Sequence, residues 1–368
     1  MEYSSVPLSD FSVDRLGSSD RSSSSGYSNS FLPNARVSFD KPNSHSLAAV
    51  WARKYVASVT RNEEQAHSSL PKQIADVASP EGRRYTADKL LKSLKLASAQ
   101  AWSQTESLLA TEIQRHGINP ALIDPWKIAA DSHALYEKTL EGYRERQTAR
   151  RLSVAIGDAC GRMRQDYTRH DPRTIGFVSM QFHYTGQLLL ALLTPAERLL
   201  IEPYVKVMDD HMYMPLRDAY QAAAEHSINS PALKATQSLL PVSTKIAYRV
   251  CEQIHHLHPN YHSFSGNLKS RHVMISSIRD VEMFQVYLCL CVLEGSIRSV
   301  QQQLFPLCVM LYPRLRVSWQ LVRDMLQTLN WEIHNCLPSD QVKVLLPYLT
   351  VLTEMFSKDV FIGSTPGS

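Results

Sequence analysis

Glycine is scarce in this sequence, which has 13 among 368 residues, whereas the average usage of about 7% would give roughly twice that number. The dipeptides Asn-Gly, Asp-Gly and Gly-Gly, which mark β-hairpins most strongly, do not occur. Both absences argue against a protein built mainly from antiparallel strands. Many segments instead repeat apolar residues with a period near that of a helix. We therefore expect an all-α fold, a multi-helix bundle with a long antiparallel helical hairpin and a disordered N-terminal tail.

Long hydrophobic runs are missing as well. The first 30 residues contain no apolar run of the ~7–15 residues found in export signals, so we expect no such signal. The most apolar stretch, residues 284–293, is about half of the ~20 residues that a membrane-spanning helix needs, so we expect no transmembrane segment. The six cysteines are dispersed through apolar stretches, which is typical of reduced, buried thiols and favours a cytoplasmic protein.

Sequence signatures of common catalytic sites do not occur. There is no G-x-S-x-G elbow, P-loop, G-x-G-x-x-G motif or C-x-x-C pair. The net charge of +4 is small for this length, so nucleic acid is not the partner that we expect. These absences favour a non-enzymatic protein. They leave any cofactor and the oligomeric state unknown.

Composition divides the chain into four segments. Residues 1–43 are rich in serine and carry isolated apolar residues that cannot bury enough surface to order the chain, so we expect a disordered tail. Residues 44–170 should form an N-terminal helical part that carries the hairpin. Residues 171–358 should form an apolar C-terminal helical bundle, and residues 359–368 should fray.

Polar residues followed by proline mark the starts of helices. Asp124-Pro125 places a capping carboxylate before a proline at the first helical position. Thr194, followed three residues later by Glu197, has the pattern of a capping box. Prolines inside other segments should interrupt them. We expect Pro203 to cut or kink the helix that follows Thr194, and Pro241 to begin a new helix.

The predicted hairpin joins a helix that ends near Gly117 to a second helix that begins at Asp124. A short connector between two long helices predicts an antiparallel pair. The pattern of the second helix ends in the polar stretch 141–151, where we expect the helix to bend or to leave the core for about three turns. Its apolar and aromatic residues have spacings of three and four, typical of coiled-coil packing: Trp126, Ala129, His133, Tyr136, Leu140 and Tyr143.

His183, Asp209, Asp210 and His211 are the candidate ligand-binding residues. If the helices on either side of Thr194 pack antiparallel, His183 approaches the Asp-Asp-His cluster. Imidazole and carboxylate groups at an apolar site can bind a metal, transfer protons or ligate a haem. The alternative is that these side chains only satisfy backbone groups that are freed near kinks.

Glu252 and His255 are second-choice ligands for a metal. They form a Glu-x-x-His pair, the spacing that helical di-iron sites use twice. Glu64 and His67 form the only other such pair, and two pairs are close to the number that chance gives for this composition. A His-rich helix end, stabilised by the helix dipole, is the competing interpretation.

Arg144, Arg146, Arg150 and Arg151 are the candidate partner-binding residues. Arginine side chains bind carboxylates and phosphates through paired hydrogen bonds. Acidic residues lie between the arginines and stacking aromatics are few, which favours an acidic protein surface over nucleic acid as the partner. The alternative is a solvated helix whose arginines form internal ion pairs.

Two functional hypotheses follow from these patterns. The leading one is a non-enzymatic protein-interaction or regulatory protein that uses the arginine-rich stretch. The rival is a helical ligand-, metal- or tetrapyrrole-binding protein, including an oxidoreductase, with its site near His183 and residues 209–211.

Overall fold

Thirteen α-helices make up nearly all of the regular structure in the residues that the computed structural model describes, 46–55, 71–358 and 360. The prediction of an all-α fold is confirmed. The predicted tail, residues 1–43, lies outside the described residues, as does the predicted frayed end apart from residue 360. The helices are α1 Leu47–Ala52, α2 Pro71–Ala78, α3 Pro80–Arg115, α4 Pro125–Arg144, α5 Ala149–Thr168, α6 Ile175–Ala191, α7 Pro195–Tyr213, α8 Leu216–Ala224, α9 Pro231–Leu257, α10 Arg271–Glu294, α11 Phe305–Arg314, α12 Trp319–Cys336 and α13 Ser339–Met355.

Short irregular elements connect some of these helices. Two 3₁₀ turns, Pro120–Leu122 and Pro172–Thr174, precede α4 and α6, and a π-helical turn, Val300–Leu304, precedes α11. Two strands of two residues each, His262–Ser263 and Gly266–Asn267, pair antiparallel between α9 and α10. None of the described helices combines the length and the apolar character that crossing a membrane requires.

Polar caps begin several helices where the sequence places them. The hydroxyl of Thr194 accepts the backbone N–H of Glu197 at 3.3 Å, and the carboxylate of Glu197 accepts the N–H of Thr194 at 2.9 Å, so the predicted capping box is confirmed. Asp124 caps α4 by accepting the N–H of Trp126 at 2.9 Å. Gly117 follows α3 with φ of 60°, a left-handed conformation that glycine adopts without steric cost.

Two prolines lie inside helices that the sequence predicts to be interrupted. Pro203 lies within α7, so it does not cut that helix, and Pro241 lies within α9, so the predicted helix start at Pro241 is wrong. A proline inside a helix costs ~3 kcal/mol because it removes a hydrogen bond and crowds the preceding turn. Burial of the neighbouring Leu239 and Leu240 against the core offsets that cost, since each fully buried leucine contributes ~1.5–3 kcal/mol.

The predicted helix pair α3 and α4 packs together through an apolar interface. The hydroxyl of Ser98 on α3 donates to the carbonyl of Ala129 on α4 at 3.4 Å. Tyr136, Leu140 and Tyr143 are buried as the spacing predicts. Trp126 is 86% exposed, so its predicted place in the interface is wrong, because it lies about 200° around the helix from the buried Ile128.

The polar stretch after α4 is a loop between two helices. The helix ends at Arg144, Arg146 adopts a left-handed φ of 61°, and Thr148 caps α5 by accepting the N–H of Arg151. The N–H of Gln147 donates to the carbonyl of Gly142 at 2.9 Å, which completes a Schellman-type helix end. The expectation of one bent or emergent helix is therefore wrong. Residues that are polar on all sides offer no apolar face to bury, so the chain turns here instead.

Three helices in the middle of the bundle position the candidate site. α6 packs against α3 and α7, and residues 192–194 connect it to α7. α10 packs mainly against α9 and lies beside α7, and residues 281–293 of α10 are all buried. The main hydrophobic cluster extends from Leu47 to Phe356, so helices on both sides of residue 170 share it, and a small second cluster contains Ile74 and Ala196.

Candidate ligand-binding site

Asp209, Asp210 and His211 are consecutive residues of α7, and each contacts a different set of neighbours. Successive side chains on a helix are about 100° apart, so three in a row cannot face one point. Asp209 faces α6 and α10, Asp210 faces α1, and His211 faces α5. The structure therefore brings His183 together with Asp209 and separates both from His211.

Asp209 is the centre of a polar group between α6, α7 and α10. Its Oδ2 atom lies 3.0 Å from Nδ1 of His183 and 3.1 Å from Nη1 of Arg279. The guanidinium of Arg279 also pairs with Asp280 at 3.2 Å and lies 3.6 Å from the ring centroid of Tyr213. All of these side chains are mostly buried, so their interactions are weakly screened by water.

The charge state of Asp209 follows from these contacts. Burial acts to raise the pKa of Asp209, but the charges and hydrogen bonds of His183 and Arg279 outweigh it, so the net pKa is lowered and the carboxylate is ionised. Nδ1 of His183 lies within hydrogen-bond distance of both this carboxylate, at 3.0 Å, and Nη1 of Arg279, at 3.2 Å. The Oδ1 atom of Asp209 is buried and has no hydrogen-bond partner among the described residues.

Asp210 belongs to a buried cluster of two lysines and two acids. Its Oδ2 atom accepts from Nζ of Lys54 at 3.0 Å and from the hydroxyl of Tyr55 at 2.9 Å. Nζ of Lys206 lies 3.0 Å from Oδ1 of Asp210 and 3.3 Å from Glu282. Lys54 also donates to Glu282 at 2.9 Å. The cluster therefore attaches α1 to α7 and α10 through charges that balance.

The cluster shifts the pKa values of its members in different directions. Burial acts to raise the pKa of Asp210, but Lys206 and Lys54 outweigh it and lower the net pKa. Burial acts to lower the pKa of Lys206, yet Asp210 and Glu282 raise it above its ordinary value. For Lys54, burial prevails over the same two acids, so its pKa is lowered. The carboxylate of Asp210 is therefore ionised at neutral pH and holds both lysines in place.

His211 is a buried structural side chain. Its Nδ1 atom donates to the carbonyl of Val207 at 2.8 Å, one turn back on α7, and Nε2 lies 3.4 Å from the hydroxyl of Ser153 on α5. Burial lowers the pKa of His211, which keeps the ring neutral. It does not line either of the two cavities described below, so its predicted role in a ligand site stays a prediction without support from this geometry.

A mainly apolar cavity of about 130 Å³ lies beside His183 and Arg279. Its walls come from α6, α9, α10 and α12 and from the short strand pair, and aliphatic side chains such as Val250, Ile254 and Leu321 predominate. His183, Arg279 and Asp280 are the ionisable residues of its lining. Burial raises the pKa of Asp280 although Arg279 opposes the shift.

An open groove of about 770 Å³ lies on the other side of the same residues. It follows α7 between α6 and α10, and Asp209 is at one end of its lining while Arg198 is near the start of α7. His183 and Arg279 line both the apolar cavity and this groove. They therefore form a polar wall that the two share, and an apolar cavity with a few polar groups is typical of small-molecule sites.

The predicted arginine cluster lies at the junction between α4 and α5, with Arg144 at the end of α4, Arg146 in the loop, and Arg150 and Arg151 in the first turn of α5. Arg146, Arg150 and Arg151 are exposed, and Arg144 is half-buried with its Nη1 atom 4.0 Å from Asp88. The four side chains lie within eight residues of sequence on the surface, away from the two cavities.

The second-choice metal ligands do not form a metal site with their neighbours. Glu252 is exposed, and its carbonyl accepts a hydrogen bond from Nδ1 of His256. No group of three or more histidine, cysteine, aspartate or glutamate side chains within residues 46–55 and 71–358 is arranged to hold a metal ion. Glu64 and His67 lie outside the described residues.

Arg279 and Lys54 are the site residues that the sequence analysis missed. A signal for the first existed, because Arg279, Asp280 and Glu282 are the only charged residues in the otherwise apolar middle of α10. Charged residues that a helix buries need partners, so this group predicts an ion cluster.

Comparison of the chain with protein-family models, with curated proteins and with solved structures gave no match. The site is interpreted from its own chemistry.

Proposed function

We propose that this protein binds a small amphipathic molecule at the wall formed by His183, Asp209 and Arg279. An apolar group of the ligand enters the apolar cavity, and a hydroxyl or amine next to that group meets the polar wall. The observation that carries the proposal is the position of His183 and Arg279, which line the cavity and the groove together.

The size of the cavity limits the apolar group. An engineered apolar cavity of ~150 Å³ in another protein stays dry and binds benzene. A volume of about 130 Å³ therefore suits one aromatic ring or a short branched hydrocarbon. It is too small for a tetrapyrrole, so the proposal is restricted to smaller molecules.

The polar wall favours a hydrogen-bond donor on the ligand. Oδ1 of Asp209 is buried and has no hydrogen-bond partner among the described residues, so it is the acceptor that a donating ligand would meet. Leaving a buried charged acceptor unpaired costs ~1–3 kcal/mol or more, which a donating ligand would recover.

Titration with 2-phenylethylamine, followed by ligand-observed NMR, tests this proposal. The probe supplies one ring and one amine. Asp209→Asn removes the charge that orients His183, so we expect binding to weaken by about tenfold, the effect of losing one charge-assisted hydrogen bond. Asp324→Asn is the matched control, because Asp324 pairs with His258 at 2.8 Å with similar exposure but lines neither cavity.

The outcomes separate clearly. Saturable binding that Asp209→Asn weakens and Asp324→Asn preserves supports the site. Binding that both variants retain equally, or no saturable binding at millimolar probe, means that the polar wall is only structural.

The arginine loop supports a second candidate function, which is binding of an acidic protein surface. Arg146, Arg150 and Arg151 are exposed, and the nearest acid to Arg144 is 4.0 Å away, so the four guanidinium groups are accessible to carboxylates. Reversal of all four charges should abolish binding of a fluorescent polyglutamate peptide and leave the circular dichroism unchanged. Equal anisotropy titrations for both proteins would remove this candidate.

A further inference from the structure

We propose that the groove along α7 binds a short peptide, about five residues long, with its amino end at Asp209 and its carboxylate at Arg198. The proposal rests on the proposed function, because the first residue of the peptide supplies the ring and the amine that the polar wall receives. Beyond that function, it specifies a second recognition point at Arg198, a peptide as the class of ligand, and the length of that peptide.

Arg198 is the first observation. It lines the groove, and its Nε atom is buried without a hydrogen-bond partner. No acid among the described residues lies within ion-pair distance of its guanidinium. An unpaired guanidinium at the side of a cleft attracts a carboxylate, whose two oxygens match the arginine fork.

The other charged residues along the groove are already paired. Arg271 on α10 lies 2.9 Å from Glu202 on α7. Lys206 is held between Asp210 and Glu282. This leaves the groove with an unpaired cation at Arg198 and an unpaired acceptor oxygen on Asp209, a distribution that complements a molecule with opposite charges at its two ends.

The spacing of these two residues sets the length of the ligand. Arg198, Glu202, Val205 and Asp209 all line the groove and follow one face of α7 at spacings of four, three and four. Eleven residues of helix rise ~16 Å, at ~1.5 Å per residue. An extended peptide advances ~3.3 Å per residue, so about five residues span the distance.

Polar atoms between the two ends favour a peptide over a hydrocarbon chain. The side-chain amide of Gln187 lines the middle of the groove and makes no hydrogen bond with the residues that the structure describes. Pro203 has no N–H, so the carbonyl of Leu199, one turn earlier in α7, lacks its helical donor. A peptide backbone offers both donors and acceptors to such groups, and side chains such as Ile275 and Ile278 can contact its apolar parts.

The test compares a pentapeptide of one phenylalanine followed by four alanines with the same peptide amidated at its carboxyl end. Isothermal titration calorimetry measures both with the wild-type chain and with Arg198→Ala. Arg323→Ala is the matched control, because its Nε atom is also buried without a partner but the residue lines neither the groove nor the cavity. Circular dichroism verifies that all three proteins are folded.

We expect amidation to weaken binding by about tenfold in the wild type and in Arg323→Ala, and to have no effect in Arg198→Ala. If 2-phenylethylamine binds but amidation changes nothing, the peptide proposal is wrong and the proposed function stands. If the amidation effect persists in Arg198→Ala, the carboxylate is bound elsewhere and the proposal is also wrong. If neither the amine nor the peptide binds, both proposals fail.

Discussion

Replacement of Asp210 by asparagine should be among the most destabilising polar substitutions in this protein. The carboxylate is fully buried and accepts hydrogen bonds from Lys54, Lys206 and Tyr55. The negative charges of Asp210 and Glu282 together balance the positive charges of the two lysines. Asp210→Asn leaves two buried ammonium groups facing one carboxylate, and removal of one partner from a buried ion cluster costs ~3–5 kcal/mol. A native protein is stable by only ~5–15 kcal/mol, so this loss is a large fraction of the total.

The effect should depend on pH in a defined direction. The folded-state pKa of Asp210 is lowered, because Lys206 and Lys54 outweigh the opposing effect of burial. The stabilisation is therefore complete at neutral pH and is lost as the pH falls through the folded-state pKa, below the ordinary range of aspartate. The difference between wild type and Asp210→Asn should be largest at neutral pH and should shrink in acid.

Guanidinium unfolding followed by circular dichroism measures the change in the free energy of unfolding. A double-mutant cycle with Lys54→Met measures how much of that change comes from the interaction between Asp210 and Lys54. The double variant keeps Lys206 opposite Glu282 with no excess charge, so we expect a favourable coupling of ~0.5–3 kcal/mol. Asp158→Asn is the control, because Asp158 is 55% exposed in its pairs with Arg162 and Arg217 and should change stability by less than ~1 kcal/mol. An Asp210→Asn variant as stable as Asp158→Asn, or a coupling of zero, would refute the reasoning.

Four further expectations use the same structure. Gly186→Ala should lower the free energy of unfolding by ~1–3 kcal/mol, because its new Cβ would lie 2.6 Å from the hydroxyl of Tyr136; thermal unfolding measures this. Val250→Leu should fill part of the apolar cavity, so NMR titration should show about tenfold weaker binding of 2-phenylethylamine with little loss of stability. Arg146→Gly should stabilise the protein by ~1 kcal/mol in denaturant unfolding, because glycine adopts the left-handed conformation more readily. A thiol reagent should modify about one cysteine per native chain, Cys336, and all six after unfolding, because the other five are buried.

Local signals in the sequence predicted the helix starts well. Thr194 and Asp124 cap their helices as expected, because a capping hydrogen bond involves residues only two or three positions apart. The prolines were harder to interpret. Whether Pro203 or Pro241 ends a helix depends on how much apolar surface the flanking turns bury in the folded protein, and local sequence does not contain that quantity.

The candidate site was predictable only in part. The contact between His183 and Asp209 follows from two helices joined by a short connection, and the sequence predicted it. The grouping of Asp209, Asp210 and His211 into one site ignored the rotation of about 100° per residue, which directs them to three neighbours. Arg279 approaches Asp209 across 70 positions of sequence, and only the packing of α10 beside α7 brings them together.

The ion pair between Lys54 and Glu282 joins residues that are 228 positions apart. A ribosome adds ~5–20 residues per second, so the second residue of this pair emerges roughly 10–50 s after the first. α1 packs against α5, α8 and α9, and Tyr55 donates to Asp210 of α7, so all of these partners are made before Glu282. Trp51 and Tyr55, fully covered in the finished protein, are therefore exposed to water until α9 has been made, and the ion pair with Glu282 forms only after α1 has its main packing partners.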